Sequence, residues 1–173
     1  MLTRRPSREQ PATTVEKALQ ALEAGRAIAA FRALKRLAES GDQGAFHMLG
    51  YLYDLGEGTR RNRKRAMYWY LRSYGTGRAE SANNIATIYR DAGRSRLEFE
   101  WYKRAAALGD GDACVEVAIR YLSGKGVRRS LSTAVGYLRA VPKTRDTSEA
   151  AQDTARQLLY GCTVKPFAGR FRE

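Results

Sequence analysis

Three stretches of this 173-residue chain align on one another without gaps in their first halves. They are "AFHMLGYLYDLGEGTRRNRKRAMYWYLRSYGTG" from Ala45, "SANNIATIYRDAGRSRLEFEWYKRAAALG" from Ser81 and "ACVEVAIRYLSGKGVRRSLSTAVGYLRAV" from Ala113. Leu49, Ile85 and Val117 coincide, as do Gly50, Ala86 and Ala118, and Tyr53, Tyr89 and Tyr121. Further on, Trp69, Trp101 and Tyr137 coincide. A repeat of 32 to 36 residues is one supersecondary unit that cannot bury its apolar face alone and must stack on its neighbours.

Each unit reads as two helices. Ala45, Leu49, Tyr53 and their equivalents recur every four residues, along one helix face. Gly-x-Gly then breaks the chain at Gly56 to Gly58 and at Gly124 to Gly126. Asn62 and Ser130 stand where the second helix wants an N-cap. The middle unit lacks four loop residues, and Ser95-Arg96-Leu97-Glu98 reads as a capping box in compensation. Small residues at Gly50, Ala66, Ala86, Ala118 and Ala134 let paired helices approach closely, while Trp69-Tyr70 and Trp101-Tyr102 fill the space between units.

The pattern Leu49-Gly50, Tyr53, Gly56-x-Gly58, Ala66, Trp69-Tyr70 and Gly77 resembles the Sel1-like repeat family, relatives of tetratricopeptide repeats. The resemblance implies an all-α fold, a right-handed superhelical solenoid of antiparallel helix hairpins. It covers residues 12–160: a degenerate first unit at 12–42, with Thr13-Thr14-Val15-Glu16 capping its first helix, repeats at 45–77, 81–110 and 113–141, and a C-terminal capping helix at 147–160. Residues 1–11 and 161–173 read as tails. The chain departs from the family at Glu98, where a small Ala is expected, and at Asn62 and Ser130, where Asp is frequent.

Net charge is +13, from 24 arginines and 7 lysines against 18 acids. An arginine-rich codon usage raises charge without segregating it. Here the charge segregates: in a stack of hairpins all within-repeat loops share one edge. Residues 54–65, 90–97 and 122–133 together carry +8, whereas the between-repeat loops carry −3. Arg60, Arg61, Arg63, Arg94, Arg128 and Arg129 are therefore expected to form a basic edge that attracts an acidic surface. Arg63 and Lys64, at the start of a helix, oppose its dipole, so their replacement is expected to stabilise the domain slightly.

The resemblance also implies a concave groove lined by first helices. Its outward positions are His47, Tyr51 and Asp54, then Asn83, Thr87 and Arg90, then Val115, Ile119 and Leu122. The last set is expected to lie under the capping helix, because terminal repeats need a cover.

No catalytic constellation is visible. His47 is the sole histidine and has no Cys beside it, which argues against a metal site. "GEGT" and "GKGV" lack the Lys-Ser/Thr of a phosphate loop. No cofactor is expected. Cys114 and Cys162 make no disulfide framework. "MLTRRPSREQP" has no apolar stretch behind its arginines, and no run approaches the ~20 residues of a membrane span. A cytoplasmic, non-enzymatic protein-binding adaptor or dedicated inhibitor is the resulting expectation. The alternatives are a bacterial immunity protein that neutralises a cognate toxin, and a nucleic-acid-binding repeat protein.

Overall fold

A computed structural model describes residues 14–141, 144 and 147–164. Among them the chain forms nine helices and no strand: α1 (Val15–Glu23), α2 (Ala27–Glu39), α3 (Gln43–Leu55), α4 (Arg63–Tyr74), α5 (Ala79–Asp91), α6 (Ser95–Ala107), α7 (Gly111–Ser123), α8 (Leu131–Ala140) and α9 (Glu149–Val164). The fold is an all-α array of helical repeats. The chain divides into two compact units, with the division after Trp69 inside α4.

In the first unit α2 packs against both α1 and α3. Ala18, Ala30, Leu34, Ala38, Ala45, Leu49 and Ala66 are fully buried or nearly so. The small side chains bring the helix axes close. The aromatics then seal the sides: Phe31 meets Tyr53 edge-on at 5.1 Å, and Phe46 meets Trp69 at 5.7 Å. Side chains cap the helices where the sequence places them. Thr14 accepts from the Lys17 amide, Asp42 from the Gly44 amide and Asn62 from the Arg65 amide. Thr13, the other threonine of the expected first cap, lies outside the described residues.

The second unit continues the pattern through the pairs α5–α6, α6–α7 and α7–α8, and α9 lies on α7 and α8. Ile85, Ala86, Val117, Ala118, Ala134 and Leu138 are fully buried. Trp101 meets Tyr74 edge-on at 5.2 Å, and Ser81 donates a buried hydrogen bond to Ser73 at 2.7 Å. Asp110 and Ser130 cap α7 and α8. Val115 is covered by α9 through Ala151 and Ala155, with Ile119 and Leu122 packed against the same cluster. Helix α9 runs to Val164, past the expected end of the cap at residue 160. Phe167 and Phe171 of the C-terminal tail, like residues 1–11, lie outside the described residues.

The capping box expected at Ser95 does not form. Arg94 holds the N-cap position of α6 without a side-chain bond, and Ser95 is already helical. Glu98 occupies the small-residue position equivalent to Ala66 and Ala134, on the face that α6 turns to its neighbour. Its carboxylate therefore points inward, is fully buried, and accepts from Arg120 of α7.

The second glycine of each Gly-x-Gly does more than break a helix. Gly58 (φ 68°) rests on the carbonyl of Ala27, the first residue of α2; an added Cβ would stand 2.2 Å from that oxygen. Gly126 (φ 78°) rests in the same way on the carbonyl of Ser95, the first residue of α6, with 2.4 Å for the same hypothetical contact. Each long loop is thus docked on the start of the preceding second helix.

Candidate interaction surfaces

The α3–α4 loop is basic, yet much of its charge is turned onto its own unit. The Nε of Arg61 donates to the Asp54 carbonyl at 2.6 Å, and its guanidinium lies 3.7 Å from the Asp54 carboxylate. Arg63 pairs with the same carboxylate at 3.6 Å. Arg65 donates to the Tyr53 hydroxyl at 3.0 Å and stacks over its ring at 5.5 Å. Asp54, expected in a groove, is therefore the anion that gathers Arg61 and Arg63. Arg60 and Lys64 are exposed. His47 is half-buried and Tyr51 is exposed on the same unit.

In the second unit the docking of Gly126 on Ser95 has an electrostatic consequence. It brings the α7–α8 loop, with Lys125 and Arg128, against the start of α6, with Arg94 and Arg96. Arg94, Arg96 and Arg128 are exposed, and none has an ion-pair partner among the described residues. Lys125 stands 3.9 Å from the buried Glu98 carboxylate. Arg129 lies at the same loop, with its aliphatic stem beside Gly124. Uncapped amides in the first turn of α6 add partial positive charge to the patch.

A cleft of about 420 Å³ opens in the second unit between α5, α7 and α9. The expected groove residues Asn83, Thr87 and Arg90 form one wall, and Val115 and Ile119 belong to the opposite one. Arg90 is tied back to the Tyr102 hydroxyl at 3.3 Å. The cleft also carries two carboxylates, Asp112 and Glu116, that the repeat alignment did not single out. Asp112 ties down the start of α9 by accepting from the Ser148 amide at 2.8 Å, and Glu116 pairs with Arg120 at 3.2 Å. Burial pushes the Tyr102 phenol above its ordinary range, and Glu116 adds to the effect. Burial likewise raises the Asp110 carboxyl, and the charges of Asp112 and Glu80 push it the same way.

Among the described residues no group of three or more His, Cys, Asp and Glu is placed to hold a metal ion. No helix there is long and apolar enough to cross a membrane. Neither the acidic lining of the cleft nor the Glu98–Arg120 contact follows from the repeat spacing. Glu98 in place of a small residue is the one sequence signal of the latter.

The family model described as Sel1 repeat matches residues 46–74, 99–110 and 111–140. No curated protein sequence matches the chain. Solved structures that share its fold include the following two. One is a protective antigen present in uropathogenic Escherichia coli strains, described as displaying an SLR fold, at 28% identity and a TM-score of 0.69 over 86% of this chain. The other is a Sel1 repeat protein from Oxalobacter formigenes, at 22% identity and a TM-score of 0.71 over 87% of this chain. The chain spans 34% of the first structure's length and 60% of the second's.

Proposed function

We propose that this chain, which carries Sel1 repeats over residues 46–74, 99–110 and 111–140, is a non-catalytic module that recognises a protein with an acidic surface. The observation that carries this reading is the joining of Arg94, Arg96 and Arg128 into one patch, exposed and, among the described residues, without intramolecular ion pairs. A charged side chain gains little from facing water alone. Three such cations on docked, ordered backbone raise the encounter rate of an anionic partner. Arg129 belongs to the same patch, and in the first unit Arg60 is the loop cation best placed to contribute. Arg61 and Arg63 serve their own loop first, through Asp54.

The cleft is a poorer seat for such a partner, because Asp112 and Glu116 repel it. Asn83, Thr87 and Arg90 suit a neutral or cationic segment instead, as polar contacts that fix its register. His47 and Tyr51 are proposed as the corresponding contacts of the first unit.

The test is a triple reversal, Arg94→Glu with Arg96→Glu and Arg128→Glu, read by association with poly-glutamate and with single-stranded DNA at low and high salt. The proposal expects salt-sensitive association with poly-glutamate that the reversal abolishes. Salt-independent association, or no effect of the reversal, refutes it. Binding of DNA in preference to poly-glutamate would move the protein to the nucleic-acid class, although that class relies on exposed aromatics for stacking.

A further inference from the structure

The docking of Gly-x-Gly loops defines a seat that recurs along the chain. Gly58 fills it at Ala27, the first residue of α2, and Gly126 fills it at Ser95, the first residue of α6. The helix that corresponds to these in the last hairpin is α8, and its first residue is Leu131. No described glycine is seated on Leu131. Leu131 is 46% exposed. In front of it opens a pocket of about 330 Å³, lined by Tyr121 and Leu122 of α7, by Leu131, and by Arg129 and Ser130.

The chemistry of this seat is specific. Its floor is one aromatic ring and two leucines. Among the described residues its lining holds one charged group, Arg129, and no carboxylate. An apolar pocket beside fixed positive charge selects a side chain of leucine or phenylalanine size with a carboxylate next to it in sequence. A second copy of the chain offers no long loop for the seat, since both of its Gly-x-Gly loops are already docked.

We infer that the seat at Leu131, which no described glycine fills, anchors an acidic partner by one apolar side chain flanked by carboxylates. This rests on the proposed acidic-partner function and supplies its hot spot. Buried apolar anchors dominate binding energy, and surrounding charge sets rate and orientation.

The experiment uses the full chain and three degenerate peptide pools. The first has a central Leu between Asp or Glu neighbours, the second Ser at the centre of the same acidic neighbours, and the third Leu between Lys neighbours. Methyl NMR signals of Leu122 and Leu131 report the pocket, and fluorescence anisotropy reports affinity. The acidic Leu pool should shift both methyl sets and bind about tenfold more tightly than the acidic Ser pool. Leu131→Ser should erase that difference while leaving weak, salt-sensitive binding of both acidic pools. Equal binding of the two acidic pools removes the pocket and leaves the basic-patch reading standing. Failure of both acidic pools to bind removes the two together. Methyl shifts from the Lys pool equal to those from the acidic one overturn the charge selection. A peptide of residues 165–173 that shifts the methyls more strongly than the acidic Leu pool overturns the partner assignment. So do shifts that follow protein concentration alone, because they put a second copy in the seat.

Discussion

The carboxylate of Glu98 on α6 meets the guanidinium of Arg120 on α7, with both side chains almost wholly shielded from water. The pair is part of a larger set: Glu116 lies 3.2 Å from Arg120 on its own helix, and the Arg120 guanidinium stands over the Tyr102 ring at 5.8 Å. Lys125 approaches Glu98 from the docked loop. One carboxylate thus links two packed helices and the loop that carries the basic patch.

Removing one partner of a buried pair leaves an uncompensated charge, whereas removing both does not. Arg120→Met alone should cost about 3–5 kcal/mol. The double variant Arg120→Met with Glu98→Ala should lose clearly less than the two single losses summed. Urea unfolding of the four proteins of the cycle measures this. Additivity of the two changes would mean that the pair is not coupled.

The docked loops give a comparison between glycines. Gly93 has φ 69° and open space around it, so Gly93→Ala should cost only the left-handed strain of about 1–2 kcal/mol. Gly126→Ala adds a collision with the Ser95 carbonyl, which is backbone and cannot rotate away. It should destabilise more than Gly93→Ala and lift the loop off α6. Thermal melts rank the two, and hydrogen exchange at Arg128 locates the opening. Equal melting temperatures would mean that the docking contributes nothing.

Asp110 offers a pH signature. Its carboxyl is raised above the ordinary value, first by burial and then by Asp112 and Glu80. A raised folded-state value means that the protonated form is favoured in the fold. The associated stability is present below the unfolded value of about 3.9 and is lost as pH rises through the folded value. Asp110→Asn keeps an acceptor for the Ala113 amide and removes the charge. The variant should be more stable than the parent at neutral pH, with the gain shrinking toward pH 4. A gain independent of pH would trace to something other than the charge.

Periodicity made the hairpins legible, because Leu49, Ile85 and Val117 with their small neighbours Gly50, Ala86 and Ala118 sit where a four-residue spacing puts them. Two things were not legible, for different reasons. Ser95 to Glu98 has the local spacing of a capping box, but Glu98 answers to Arg120, 22 residues away on another helix. A contact of that range leaves no spacing signal in a single sequence. By sequence the loop glycines are helix breakers, since positive φ is a local property. Their seats at Ala27 and Ser95 depend on which helix lies beneath. The same limit applies to charge: summing the α3–α4 loop counts Arg61 and Arg63 as outward cations, whereas Asp54, seven residues upstream of Arg61, draws them in.

That last point separates Arg63 from Lys64, which sit side by side in the first turn of α4 and face the same unfavourable helix dipole. The sequence alone predicts that replacing either one stabilises the domain. Lys64 is exposed, and Lys64→Glu should indeed gain about 0.3–1 kcal/mol, because an acid at a helix start complements the dipole. Arg63 is half-buried at 3.6 Å from the Asp54 carboxylate. Arg63→Glu would gain the same dipole contribution, yet it would lose that pair and set two carboxylates against each other in a partly shielded site. Repulsion of this kind exceeds an exposed dipole contribution, so Arg63→Glu should destabilise while Lys64→Glu stabilises. Chemical unfolding of the two variants at low salt reads both signs directly. The same sign for both would mean that Asp54 does not hold Arg63 in solution.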